Sequence, residues 1–252
     1  MRLALLAVLA CAQPNDPLEE AQRWAATYQN EVDLRRDLDE DGRRLYSGLL
    51  ADALAASGLM DAPPQFVLLV DRNPKAQLAI LYLHSPGQAV LIGASPASTG
   101  NPGSFEYFKT PTGVFAHSLA NLDFRAQGTR NAHGIRGYGA KGTRVFDFGW
   151  IRAPRGWGDH REGQLRLQVH ATDPVLLEPK LGSALSKGCI RLPASLIRFL
   201  DHYGLLDADY EEAIAGGRRF WVLAKDRQPC GQPGRYLVVV DSQPRIGPQN
   251  AE

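Results

Sequence analysis

The stretch Ser186-Lys187-Gly188-Cys189-Ile190-Arg191 sets a thiol between a glycine and an isoleucine, with a lysine two residues before it and an arginine two after. Structural thiols sit among apolar neighbours; here glycine removes bulk beside the sulfur and two cations favour its thiolate. A cysteine nucleophile also needs a base, usually a histidine within hydrogen-bond reach. Among the six histidines, His170 closes "QLRLQVHATDP", an apolar strand giving way to a loop, where a scaffold can fix the ring and leave it reachable. His133, in the glycine-rich "NAHGIRGYGAKG", is its competitor on a loop able to border the same cleft. Cys230 in "RQPCGQPGR" has no comparable setting, and the alternative for Cys189 is a bridge to it in an oxidising compartment.

The register resembles that of the YkuD-type L,D-transpeptidases, bacterial cell-wall enzymes with a catalytic cysteine. Their motif is a histidine, roughly fifteen residues, a serine or threonine, a variable residue, glycine, the cysteine, a hydrophobic residue, and asparagine or arginine. Here fifteen residues separate His170 from Ser186, and Lys187, Gly188, Cys189, Ile190 and Arg191 follow. "KTPTGVF" at 109–115 is similar to the strand entry typical of these domains, and the resemblance covers approximately 65–225.

That resemblance implies Cys189 as the acyl-accepting nucleophile, His170 as its base, and the Ala171 carbonyl as the group orienting the second ring nitrogen. It also implies an oxyanion pocket of backbone donors around Gly188 and Cys189, with Ser186 in a supporting role. Prepositioned amides suit this chemistry because sulfur attack on a carbonyl builds charge on its oxygen. Arg191 offers a fork for a stem-peptide carboxylate, its alternative being a salt bridge at a strand end. Two positions depart from the pattern. Ala171 stands where glycine is common, and Lys187 where histidine is frequent; Lys187 either lowers the thiol pKa or points into solvent.

The elements that must carry these residues follow from periodicity. Residues 16–62 read as a small helical segment: Asp16, Pro17 and Glu19 open a helix with Leu18, Ala21, Trp24 and Tyr28 at helical spacing, and Leu45, Leu49, Leu50 and Leu54 form a second series. A hairpin of two helices is expected. The consecutive prolines of "DAPPQ" mark a boundary, and a mainly β domain is expected over 65–226. Its strands are "QFVLLVDR", "AQLAILYLHS", "QAVLIGAS", "VFAHSL", "VFDFGWI", "LRLQVHA" and "RRFWVLAK". One helix, "PASLIRFLDHYG", follows the cysteine, and residues 227–252 hold a last strand, "RYLVVVDS", and a loose tail. The fold class implied is a YkuD-like β-sandwich or barrel-like domain.

The opening "MRLALLAVLACAQP" is built like an export signal over residues 1–12, and "VLAC" resembles a lipobox with Cys11 as the lipidated residue. Export to the periplasm or cell envelope is therefore expected, with membrane contact only if Cys11 is lipidated. A formal net charge of +1 gives no electrostatic case for nucleic acid. No histidine or cysteine pair has zinc-site spacing, and the glycines of "GIRGYGAKG" lack a dinucleotide-site context, so no metal or cofactor is expected. The function implied by the resemblance is an exported L,D-transpeptidase that attacks peptidoglycan tetrapeptide stems, releases terminal D-Ala and passes the acyl group to an amine of a stem or an envelope protein. Two alternatives stand beside it. Water as acceptor would make it an L,D-carboxypeptidase, and the departures at Ala171 and Lys187 would suit an inactive wall-binding module.

Overall fold

The computed structural model describes residues 17–243; the expected export signal with Cys11, the cap residue Asp16 and nearly all of the tail lie outside the described residues. The described residues fold as two mixed sheets with four α-helices, a mainly β body. One sheet has five strands, β1 (Gln65–Asp71), β2 (Leu78–Ser85), β3 (Gln88–Pro96), β4 (Gly113–Ala116) and β9 (Tyr236–Val240), in the order β3-β2-β1-β9-β4. The other holds β5 (Phe124–Arg125), β6 (Arg144–Pro154), β7 (Glu162–Ala171) and β8 (Ile190–Leu192) in sequence order.

The five-stranded sheet is covered on both faces, which is why β1 and β2 read as unbroken apolar runs without alternation. Phe66, Leu68 and Val70 enter a core shared with Phe146, Leu167, Val169 and Ile190 of the second sheet. Val67 and Leu69 face the other way, onto Tyr46, Leu50 and Leu54 of helix α2 (Glu40–Ala56). Asp39 caps that helix by accepting the Gly42 amide at 2.8 Å. Leu50 is fully buried, so its truncation to alanine should cost about 2–5 kcal/mol.

Helix α1 (Pro17–Glu31) packs into the first core instead, its Trp24 meeting Phe66 edge-on at 5.3 Å. The two leading helices thus serve opposite faces of one sheet, and the expected hairpin is not formed. The connecting segment is tied down separately, Arg36 donating its amide to the Ala94 carbonyl at 2.8 Å.

One further expectation fails in the C-terminal third. "RRFWVLAK" is not a strand: Phe220 packs inward on Tyr210 at 4.8 Å and Val222 is buried, but the alternation lasts only three residues and meets no sheet edge. The acidic segment before it forms α4 (Ala208–Ala215), whose Asp209 and Glu211 complement the amino end of the helix dipole. β9, lying beyond residue 226, pairs in parallel with β1 and antiparallel with β4, which makes it an interior strand of the five-stranded sheet.

Candidate active site

β7 and β8 run parallel, with Val169 beside Ile190, His170 beside Arg191 and Ala171 beside Leu192. Leu167, Val169, Ala171, Ile190 and Leu192 belong to the core. Strand alternation therefore places Arg166, Gln168, His170, Cys189 and Arg191 on the opposite face. Cys189 immediately precedes β8, two residues out of step with His170; two rises along and one strand across put their backbones about 8 Å apart. Helix α3 (Ala194–His202) follows β8 directly and anchors it by burying Leu196, Ile197, Phe199 and Leu200 in the same core.

The loop before the thiol is braced on several sides. Ser186 Oγ donates to the Cys189 carbonyl at 2.5 Å and accepts the Gly188 amide at 3.0 Å. Buried Thr110, from the "TPTG" segment, accepts the Gly100 amide and donates to the Gly188 carbonyl, both at 2.8 Å. Phe108 donates its amide to Lys187 O at 3.1 Å, and Ser98 and Arg191 exchange two backbone bonds at 2.9 Å. Gly188 has φ +130°, and a Cβ there would lie 2.9 Å from Leu165 Cδ1 and 3.1 Å from Phe108 Cβ. Glycine at this position is a steric necessity.

His170 is only 4 % exposed, and its Nδ1 lies 2.5 Å from Ala171 O. A ring nitrogen facing a carbonyl oxygen must carry the proton, which leaves the lone pair on Nε2. The tautomer is that of a base. Burial, with Arg191 adding to it, lowers the imidazole pKa to about 4. The Ala171 methyl is accommodated because Gly139 stands opposite; a Cβ on Gly139 would come within 2.9 Å of it.

Cys189 is partly exposed and unbridged, as is buried Cys230, so the disulfide alternative is not realised. Its Sγ contacts Arg166 O at 3.6 Å, and the Gln168 amide also reaches it. Burial raises the thiol pKa to about 11, outweighing the Gln168 amide and Arg191. The expectation that flanking cations favour a thiolate is thus reversed at rest. Lys187 is paired with Glu106 at 3.0 Å, and the single arginine does not offset desolvation. The Gly188 amide, expected in an oxyanion pocket, is already committed to Ser186.

The other expected residues divide. Arg191 donates Nη1 to Leu185 O at 3.3 Å, while its buried Nε has no partner and no carboxylate meets the group among the described residues. His133 is exposed on its loop, with its backbone amide bonded to Asn131 Oδ1 at 2.9 Å, and it does not line the cleft at Cys189. That open cleft, about 550 Å³, is bounded by Tyr138, Trp150, Arg166, Gln168, Lys187 and Cys189 among others. A separate cavity of about 600 Å³ against α3 reaches neither Cys189 nor His170.

Sequence reasoning missed Tyr138, whose ring covers His170 at 4.7 Å and whose hydroxyl donates to Gln168 Oε1 at 3.0 Å. It also missed fully buried Asp147, which accepts Gln168 Nε2 at 2.8 Å and Arg166 Nε at 2.7 Å. The signal for Arg166 and Gln168 was present: they alternate with Leu165, Leu167 and Val169 up to His170. Tyr138 had none beyond being an aromatic among glycines.

Of the remaining histidines, His84 is buried at the end of β2 and His160 is exposed. His117, Asp123 and Asp207 gather potential ligand atoms within 4.8 Å. They are assembled around a guanidinium, because Arg144 Nε bonds Asp123 and Nη2 bonds Asp207, each at 2.7 Å.

Fold and site together are those of a two-sheet protein with a buried histidine on β7 and, just before the neighbouring parallel strand β8, a cysteine that borders an open cleft. No family model matches the chain, and no curated protein matches it. The solved structures similar to it include the following three. Bd1075 of Bdellovibrio bacteriovorus shares 18% identity at a TM-score of 0.38, over 71% of this chain and 49% of that one. A fused Zn-dependent amidase/peptidase/peptidoglycan-binding domain-containing protein of Clostridium acetobutylicum shares 16% at 0.29, over 82% and 65%. The helical cell shape determining protein Pgp2 of Campylobacter jejuni shares 13% at 0.31, over 92% and 58%. This chain therefore spans from about half to two thirds of their lengths.

Proposed function

We propose that the chain is an exported cysteine acyltransferase of the YkuD-type L,D-transpeptidase class, acting on peptidoglycan stem peptides. The observation that carries this reading is His170, its Nδ1 fixed on Ala171 O, sharing a sheet face with Cys189, which itself borders an open cleft. At rest both groups are neutral, since the thiol pKa is raised and the imidazole pKa lowered. Proton transfer from Sγ to Nε2 then accompanies attack on the substrate carbonyl rather than preceding it. The tetrahedral intermediate collapses to a thioester as the imidazolium returns the proton to the departing D-alanine nitrogen. An acceptor amine attacks the thioester, and the restored thiol takes up a proton.

Arg191 supplies the site with a guanidinium that meets no carboxylate among the described residues and is suited to a stem-peptide carboxylate. Incubation with defined tetrapeptide muropeptides, read by mass spectrometry beside Cys189→Ala, tests the proposal. A crosslinked dimer is the expected product, and a trimmed tripeptide without dimer would make water the acceptor instead. A carbapenem should add to Cys189 by intact mass. Tight peptidoglycan binding with neither adduct nor turnover would replace the enzyme by a binding module.

A further inference from the structure

The segment after α4 carries a surface feature that the acyl-transfer chemistry leaves unused. Gly216 and Gly217 end the helix, Gly217 at φ +90°, and the chain then turns through Arg218, Arg219, Phe220, Trp221, Val222 and on to Lys225. Phe220 is held on Tyr210 at 4.8 Å and Val222 is buried, so the residue between them is forced outward. Trp221 is 75% exposed, the highest value among the large hydrophobic side chains exposed in the described residues. Its anchored neighbours make this a fixed projection.

Charge around the indole is one-sided. Arg218, Arg219 and Lys225 are exposed, and none of them meets a carboxylate among the described residues. The nearby acids are occupied elsewhere: Glu211 pairs with Arg227, and Asp209 and Glu212 pair with Arg235 at 2.6 Å. Asp226 is the one exposed acid adjoining the stretch. Arg218 lies over the Phe220 ring at 4.9 Å, which draws its charge toward the base of the projection.

We propose that the 216–225 loop is an interfacial anchor for an anionic lipid bilayer, with Trp221 entering the headgroup layer and Arg218, Arg219 and Lys225 pairing with lipid phosphates. Indole suits the headgroup region because it is apolar in body and polar at its N–H, and cations beside it add electrostatic attraction that salt weakens. A neutral saccharide would also stack on tryptophan, but it would leave the cations unused. No helix among the described residues is long and apolar enough to cross a membrane. It is independent of Cys11 and of the chemistry at Cys189.

The test is co-sedimentation of the full chain with vesicles of phosphatidylglycerol and phosphatidylcholine, against pure phosphatidylcholine, at low and high salt. Binding should require the anionic lipid and fall with salt. R218A/R219A/K225A should weaken it on the order of 10²-fold, and W221A roughly tenfold. Circular dichroism and the melting temperature of each variant report folding, and comparison at one terminus isolates the loop from any lipidation. Absence of anionic-vesicle binding at low salt, or equal binding by the folded triple variant, would overturn the proposal. So would a triple variant that loses affinity only for purified peptidoglycan, which would make the partner a wall polymer.

Discussion

Arg144 and Arg191 are both guanidinium groups drawn away from water beside the four-stranded sheet, yet their surroundings are opposite in kind. Arg144 is fully buried, bonded through Nε to Asp123, through Nη1 and Nη2 to Asp207, and more weakly to Asp201 at 3.3 Å. His117 extends the network, with Nδ1 2.7 Å from Leu206 O and Nε2 2.8 Å from Asp123 Oδ1. Both ring nitrogens face acceptors, so this imidazole is held as a cation, and its pKa is raised against the pull of desolvation by Asp123. Around Arg191 little is satisfied: Nε is orphaned, the Cys189 thiol has a 3.6 Å contact, and His170 keeps a free Nε2. A saturated network can only hold structure, whereas unmade bonds leave room for a substrate to supply them.

The sharpest way to break this contrast is to remove the central group on each side. Cys189→Ala should lower muropeptide turnover on the order of 10⁴-fold or more, while urea unfolding shifts by less than about 1 kcal/mol. Arg144→Ala should do the reverse, costing about 3–5 kcal/mol because three carboxylates lose their common partner. Its carbapenem adduct per folded molecule should stay near wild type. A mild Arg144→Ala in urea would show the network to be dispensable, and strong turnover by Cys189→Ala would remove the proposed nucleophile.

The two histidines sharpen the same contrast through pH. His170 has a folded pKa near 4 against about 6.5 unfolded, so between those values the unfolded chain binds more protons. Stability should therefore rise with pH across that window, by up to about 1.4 kcal/mol per unit. His117 has the opposite sign. Its folded pKa is raised, so its contribution is complete below the unfolded value and is lost as pH climbs through the folded one. Urea midpoints measured against pH should lose the acid-side rise in His170→Gln and the alkaline-side fall in His117→Gln; an unaltered profile in either variant would contradict its assigned protonation.

How far the residues alone carried these assignments differs from part to part. Strands β1, β2 and β3 were legible because their apolar runs sit between turn formers, and α3 because Leu196, Phe199, Leu200 and Tyr203 recur at helical spacing. The placement of α1 and α2 on opposite faces was not, since amphipathic spacing says a face is buried and not against what. "RRFWVLAK" misled because inward Phe220 and Val222 around outward Trp221 imitate strand alternation. At the site, the spacing from His170 to Cys189 was readable from motif register. The resting charge state was not, because desolvation depends on how Tyr138 and the core close over the pair. The Arg144 network joins Asp123, Asp201 and Asp207 across long stretches of chain, and nothing local announces it.

Tyr138 carries the smallest expected effect and the finest discrimination. Its hydroxyl bond to Gln168 is one of two holding that amide, the other coming from Asp147, and the ring is partly exposed so that water can take the vacated place. Tyr138→Phe should therefore cost only about 0.5–1 kcal/mol in urea and leave the acid-side rise intact, because the ring still shields His170. Tyr138→Ala uncovers the imidazole, which should bring its pKa back toward the unfolded value and flatten that rise. If Tyr138→Ala kept the full slope, the burial that depresses His170 would have to come from the sheet alone, and Tyr138 would have no part in setting its pKa.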